Sequence, residues 1–110
     1  MDIKVIYLPE ARDFLKSVNE TARKKIIFNV KKVRLGVMDN NLFKKPNNTD
    51  IWEFRTLHGG SYYRLFSFWD SQKKSLIVAT HGIVKKSSKT PKKEIEKAEL
   101  IRKNYFDNKQ

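Results

Sequence analysis

Two arginines stand at matching positions on either side of a Gly-Gly pair, where their side chains could bind one phosphate together. Gly59 and Gly60 interrupt the segment 51–69, which is rich in aromatic residues and alternates in polarity. This pattern is typical of two strands joined by a two-residue turn. A turn of that length pairs Arg55 directly with Arg64 on one face of the predicted hairpin. The spacing therefore predicts a pair of guanidinium groups at one point of a sheet.

Like charges that face each other across two strands are destabilising unless an anion lies between them. Guanidinium groups have planar, bidentate donors that match the oxygens of a phosphate, which favours a phosphate site at Arg55 and Arg64. Glu53 stands two residues before Arg55 on the same predicted face, so it could instead pair diagonally with Arg64. The residues leave both interpretations open, a phosphate site and a salt-bridged sheet face.

Three further residues could move protons or stabilise charge near these arginines. His81 falls near the end of a third predicted strand, and Lys85 and Lys86 follow it closely. Cleavage of RNA without a metal needs a base for the 2′-hydroxyl, cations for the phosphorane and an acid for the leaving oxygen. A histidine suits either proton role, and nearby cations should keep it neutral. The alternatives are a hydrogen-bonded structural histidine and lysines that only contact phosphates.

The same region contains candidates for contacts with RNA. Tyr62 shares the predicted face of Arg64 and could stack on a base, although an aromatic residue at such a position can equally belong to the core. His58 falls on the opposite face, and we assign it no catalytic role. The segment 85–93 holds five lysines and no acidic residue, and it adds three candidates for binding the RNA backbone: Lys89, Lys92 and Lys93.

The composition limits the classes of protein that need to be considered. The 110 residues carry 24 Lys plus Arg against 12 Asp plus Glu, a net charge of +12, which predicts a polyanionic partner. The absence of cysteine excludes a disulfide framework, a thiolate zinc site and a cysteine nucleophile. Two histidines and scattered acidic residues predict no metal site and no cofactor. Without a signal-peptide pattern or a long apolar stretch, we expect a soluble, cytoplasmic protein.

The rest of the chain predicts one α+β domain over residues 1–110, with helices packed against a small antiparallel sheet. The expected element order is βααβββα, and residues 39–50 form a loop before the sheet. We expect Thr90 to cap the last helix, with Pro91 as its first residue. The other expected elements are a strand at 3–8, a helix from Pro9, a helix at 22–35 that ends at Gly36, the hairpin strands and a strand at 75–84.

The second predicted helix has an apolar face and a basic face. Ile26, Val30, Val33 and Val37 recur with helical spacing, so we expect them to face the core. The basic face should be solvated, and it consists of Arg23, Lys24, Lys31 and Arg34.

The chain resembles the RelE/ParE toxin superfamily, and within it the phage-derived, host-inhibition (HigB-like) branch. The resemblance rests on two segments taken together, IWEFRTLHGGSYYRLFSF and HGIVKKSSKTPKKEIEKAELIRKNYF. The resemblance extends over nearly the whole chain. It implies a small antiparallel sheet flanked by helices and a toxin of a type II toxin–antitoxin pair. It also implies an endoribonuclease that cuts messenger RNA on the ribosome, and a cognate antitoxin that often carries a helix-turn-helix domain.

The residues suggest catalysis by Arg55, Arg64, His81, Lys85 and Lys86. A second hypothesis is a non-catalytic inhibitor of the same fold, similar to the ParE toxins that bind DNA gyrase. It would need surface complementarity but no proton-transfer residues beside the arginines. A third is a basic nucleic-acid-binding module, which would have basic and aromatic residues without proton-transfer geometry.

Overall fold

A computed structural model describes residues 2–109 of the chain and shows a five-stranded sheet with helices on both faces. The predicted α+β class is confirmed. In chain order the elements are β1 (Lys4–Tyr7), α1 (Pro9–Ser17), α2 (Glu20–Arg34), β2 (Phe43–Lys44), β3 (Trp52–His58), β4 (Ser61–Trp69), β5 (Leu76–Lys85) and α3 (Lys92–Asp107).

The sheet has the strand order β1-β5-β4-β3-β2, and it differs from the expected sheet in two respects. The neighbours β2 to β5 are antiparallel, but β1 pairs with β5 in parallel. The predicted loop at 39–50 also contains the short strand β2. Phe43 of β2 is buried and stacks on Trp52 and Phe54 at centroid distances of 4.7 and 4.6 Å. This aromatic packing holds an otherwise polar segment against the sheet edge.

The hairpin register predicted from the Gly-Gly turn is confirmed. Gly59 and Gly60 have φ angles of 58° and 77°, the left-handed conformation that a tight turn between strands requires. Arg55 pairs with Arg64, and His58 pairs with Ser61. The two arginines therefore share one face of the sheet.

Helices α1 and α2 cover one face of the sheet, and α3 covers part of the other, which we call the cleft face. The larger core lies under α1 and α2, and it includes Leu15, Ile26, Phe54 and Leu65. The smaller core lies under α3, where Ala98 packs with buried residues of the sheet. On the cleft face, α3 covers only the second half of β4 and leaves the first half of β4 and the facing part of β3 to other parts of the chain.

The position of α3 is held at its C-terminal end by a buried carboxylate. Asp70 Oδ2 accepts hydrogen bonds from Tyr105 Oη at 2.7 Å and from Lys109 Nζ at 2.6 Å. Burial acts to raise the pKa of Asp70, but these bonds and one from the Gln72 backbone together lower it. An ion pair between Lys97 and Glu10 also joins α3 to α1.

Helix α2 begins two residues before the predicted start at 22 and ends one residue before the predicted end at 35, and its faces are partly as expected. Asn19 Oδ1 accepts a hydrogen bond from Ala22 N at 2.8 Å, and Gly36 follows the helix with a φ of 98°. Val37 was expected on the apolar face, but it lies beyond the helix and is exposed. Arg23 and Arg34 are not simply solvated, since each donates hydrogen bonds to backbone carbonyls.

The expected cap of the last helix is wrong. Pro91 occupies the N-cap position of α3, which has no side-chain cap. Thr90 Oγ1 instead donates a hydrogen bond to Glu53 Oε1 at 2.9 Å. This hydrogen bond turns the hydroxyl toward the sheet, and it is strong because its acceptor is charged.

Replacing Ile26 by Ala should destabilise the protein, because Ile26 is buried in the core under α2. We expect a loss of about 1–4 kcal/mol in the free energy of unfolding, from lost burial and a residual cavity. The exposed Lys31 provides the control, and Lys31→Ala should change that free energy by less than about 0.5 kcal/mol. Chemical denaturation of both variants measures the difference, and equal losses would contradict the assigned helix face.

Candidate functional site

The open part of the cleft face forms a groove made of two adjoining depressions. One has a volume of about 380 Å³ and the other about 250 Å³, and Arg55 and Ser88 line both of them. The first also has Lys44, Lys45 and Lys89 in its walls, and the second has Tyr62 and Arg64. We call this groove the cationic cleft.

Arg55 presents its guanidinium to the cationic cleft. Its side chain is 22% exposed, and its Nε lies 3.9 Å from Glu53 Oε1. That nitrogen is buried without a hydrogen-bond partner, and Nη1 makes one long contact of 3.5 Å with the carbonyl of Asn40. An incoming anion cannot reach the buried Nε, but among residues 2–109 the terminal nitrogens make only that one long contact, so they keep donors that an anion can use.

Arg64 faces Arg55 across the strands, but it is committed to internal contacts. Its side chain is 3% exposed, and its Nε lies 3.4 Å from Glu53 Oε1. Nη2 donates to the carbonyl of Ser88 at 3.0 Å, and Nη1 lies 3.4 Å from the carbonyl of Tyr63. Burial first and then the neighbouring Arg55 lower the pKa of Arg64, while Glu53 and Tyr62 oppose that shift. The diagonal ion pair with Glu53 that the sequence left open is present.

The same contacts hold the loop of residues 86–91, which connects β5 to α3, onto the sheet. Arg64 binds this loop through Ser88, and Glu53 binds it through the hydroxyl of Thr90. Since Glu53 is also nearly buried, it balances both arginines while it anchors the loop. Lys89, between the two anchored residues, is thereby placed in the wall of the cationic cleft.

Of the neighbouring candidates, Tyr62 lies beside Arg64, and Lys85 lies next to Tyr62 on the adjacent strand. Tyr62 pairs with Lys85 across β4 and β5, and the Arg64 guanidinium lies 5.5 Å from the Tyr62 ring. Strand alternation places Lys86 on the opposite face, where its Nζ donates to Ser61 Oγ at 3.2 Å. Lys92 and Lys93 are exposed in the first turn of α3.

His81 lies on the cleft face but underneath α3. A bulge shifts the pairing of β5 at this point, so that His81 pairs with Phe66 and stacks on its ring at 4.8 Å. The residue is 2% exposed, with Nε2 at 3.1 Å from Glu94 Oε1 and Nδ1 at 2.9 Å from Thr80 Oγ1. Burial lowers the pKa of His81, and the hydrogen bond with Glu94 opposes that shift. Both ring nitrogens are therefore occupied, and α3 separates the ring from solvent.

The sequence reasoning missed two lysines of the cationic cleft. Lys44 lies in β2 and Lys45 directly follows it, and both line the larger depression. They fall in the segment that was assigned to a loop. The position of the two lysines directly after Phe43 could have indicated this, because an aromatic residue that packs on a sheet edge holds the residues after it against that edge.

Among residues 2–109, no group of three or more His, Cys, Asp and Glu side chains is arranged to hold a metal ion. Within the same range, no helix is long and apolar enough to span a membrane.

Replacing His81 by Gln should flatten the dependence of stability on pH. The folded state favours the neutral ring, whereas the unfolded chain binds a proton below the ordinary pKa of 6.5. The contribution of this shift is present above pH 6.5 and is lost as pH falls below it. Denaturation between pH 5 and pH 7 measures the slope. His58→Gln is the control, and an unchanged slope in His81→Gln would contradict the buried, neutral ring.

The fold matches that of solved structures of RelE toxins. A free mutant of the Escherichia coli toxin RelE aligns over 93% of this chain and 98% of its own, with 15% identity and a TM-score of 0.66. A chain of the archaeal RelE–RelB complex from Pyrococcus horikoshii OT3 aligns over 81% of this chain and 100% of its own, with 13% identity and a TM-score of 0.52. The chain thus has a RelE-like fold.

The family follows from the sequence itself. Residues 13–103 match the model of the family described as "Phage derived protein Gp49-like", and the chain belongs to this family. No curated protein matches the chain significantly. The resemblance to the RelE/ParE superfamily and its phage-derived branch is confirmed, since family and fold both agree with it.

Proposed function

We propose that the protein is the toxin of a type II toxin–antitoxin pair and acts as a metal-independent endoribonuclease on messenger RNA, on the ribosome. The observation that carries the proposal is the cationic cleft on a RelE-like fold. Arg55 lies at the junction of its two depressions with unused donors, surrounded by Lys44, Lys45 and Lys89. Such a groove attracts the phosphate backbone of RNA and suits single-stranded RNA.

In the proposed reaction, the ribose 2′-hydroxyl gives its proton to solvent water as its oxygen attacks the adjacent phosphorus. A 2′,3′-cyclic phosphate forms while the bond to the 5′-oxygen of the next nucleotide breaks, and that oxygen takes up a proton. Arg55 binds the non-bridging oxygens and stabilises their charge as the phosphorane forms. Tyr62 lies beside them and offers a ring on which a base can stack. Lys89 binds a neighbouring phosphate, and Lys92 and Lys93 extend the basic surface along the RNA.

Proton transfer is proposed for Lys85, which lies beside Tyr62 on the cleft face. Lys85 can donate to the leaving 5′-oxygen, while Lys86 and Arg64 contribute positive charge from their present positions. A direct role for His81 as the base requires α3 to move off the sheet, because the ring is covered. With α3 in place, His81→Gln should leave cleavage per folded molecule unchanged. A loss of about 10²–10⁴-fold would instead show that His81 acts as the general base.

A cognate antitoxin is the proposed protein partner, and we expect it to carry a helix-turn-helix domain. The similar archaeal structure is a complex of RelE with RelB, which supports a partner of this kind. The high positive charge of this chain favours an acidic contact surface on that partner.

The proposal is tested by translation in vitro with the purified protein, followed by mapping of new 5′ ends on the messenger RNA. We expect cut ends that depend on ribosomes and persist in the presence of a chelator. Arrest of translation without cut ends would contradict the endoribonuclease, and cutting that a chelator abolishes would contradict the metal-independent mechanism.

The second candidate is a non-catalytic inhibitor similar to the ParE toxins. Two observations favour it. Within the described residues, the lining of the cationic cleft includes no histidine that could transfer a proton, and Arg64 forms an ion pair with Glu53. This candidate predicts arrest of DNA supercoiling by gyrase with intact messenger RNA. A supercoiling assay beside the translation assay separates the two functions. A basic nucleic-acid-binding module without catalysis would bind RNA but would neither cut messenger RNA nor arrest supercoiling.

A further inference from the structure

The outer surface of α2 combines exposed apolar residues with a dense ring of basic residues. Of the nine large apolar side chains that are exposed among residues 2–109, five lie between positions 27 and 38. Ile27 is 46% and Phe28 51% exposed, although the buried face of the same helix already supplies the core. An exposed apolar cluster of this kind marks a contact surface.

The charges around this surface have one sign. Helix α2 contains six basic residues and one acidic residue, Glu20, which pairs with Lys24 at 3.2 Å. The ammonium groups of Lys25 and Lys32 lie 5.6 and 4.7 Å from the centre of the Phe28 ring. The ring is therefore held between two cations, on a surface that repels other basic molecules.

The shape of this surface suits a helix laid along α2. Ile27, Lys31 and Leu35 recur at intervals of four residues, so they form a ridge along the helix axis. Beside the ridge is an open depression of about 370 Å³ between Arg23, Lys24, Ile27, Phe28 and Lys31. An apolar side chain from a second helix can fill such a depression, whereas a flat lipid surface would leave it empty.

We propose that the outer surface of α2 is a docking site for an acidic amphipathic helix of a partner protein. The apolar stripe of that helix packs on Ile27, Phe28 and Leu35, and its carboxylates pair with the surrounding lysines. RNA fits this surface less well, because the exposed aliphatic side chains make no favourable contacts with a phosphate backbone. The site lies on the opposite side of the sheet from the cationic cleft, so it is independent of the proposed catalytic function.

The test is a selection from a display library of helical peptides whose charged and apolar positions are randomised. We expect the enriched peptides to carry Asp and Glu on both sides of an apolar stripe. Phe28→Gln or Lys31→Glu should weaken the binding of a purified enriched peptide by at least about tenfold, the effect of losing a central contact residue. Leu100→Gln removes an equally exposed apolar residue from α3, and this matched control should leave the binding unchanged.

Two further measurements distinguish this site from other uses of the surface. A single-stranded RNA oligonucleotide should bind equally well with and without saturating peptide, and thermal unfolding should show that the variants are folded. Enriched peptides without acidic residues, or binding that is insensitive to Phe28→Gln, would overturn the proposal. So would a larger effect of Phe28→Gln on binding to phosphatidylserine vesicles or to the RNA oligonucleotide than on peptide binding.

Discussion

Arg64→Ala is expected to lower the free energy of unfolding by up to about 3–5 kcal/mol, because it removes the closer of the two arginines that balance the nearly buried carboxylate of Glu53. The loop of residues 86–91 should also loosen, since Ser88 loses its contact with the guanidinium. Chemical denaturation measures the loss. Trypsin should cut the wild-type loop slowly and the variant loop quickly at its lysines.

A double variant supplies the control for this interpretation. Replacing both Glu53 and Arg64 by Met removes the two buried charges together, so the protein should be more stable than Arg64→Ala. An Arg64→Ala protein with the wild-type unfolding midpoint would show that the ion pair with Glu53 contributes nothing.

The second large effect is expected for activity. Arg55→Ala should lower cleavage of messenger RNA by about 10²–10³-fold, the scale of losing one oriented electrostatic donor. Stability should change little, because the side chain is partly exposed and makes only long contacts. Arg55→Lys should remain impaired, since an ammonium keeps the charge but lacks the bidentate donors. Quantifying cut ends per folded molecule measures the effect.

The control for this prediction is Lys16→Ala. It removes the same charge from the exposed end of α1, on the side of the sheet away from the cationic cleft, and it should cut at the wild-type rate. If both variants lose activity equally, net charge rather than the Arg55 guanidinium supports cleavage. If Arg55→Ala cuts normally, the phosphate is bound elsewhere.

Local rules were sufficient to predict the hairpin and the facing arginines. A two-residue turn determines which residues pair, and the alternation of strands then places Arg55 and Arg64 on one face. The C-terminal end of α2 was predictable to within one residue, because Gly36 acts within the last turn of the helix. The family resemblance added the arrangement of helices around the sheet.

The remaining features depend on contacts between distant parts of the chain. The burial of His81 results from a bulge in β5 and from the placement of α3, and neither leaves a clear pattern in the residues themselves. The choice of Glu53 as the partner of Arg64 was open because both alternatives satisfied the same strand spacing. In the structure, Arg64 faces Glu53, and the loop that contains Ser88 and Thr90 binds both side chains.

The parallel pairing of β1 with β5 has a consequence for synthesis of the chain. Lys4 pairs with Leu76 and Tyr7 pairs with Ala79. The first strand therefore cannot join the sheet until the last strand has been synthesised. Contacts between such distant residues slow folding, because a long loop must close before they form. A nascent chain that ends before β5 therefore cannot complete its core, and part of the larger hydrophobic core stays exposed until β5 has been synthesised.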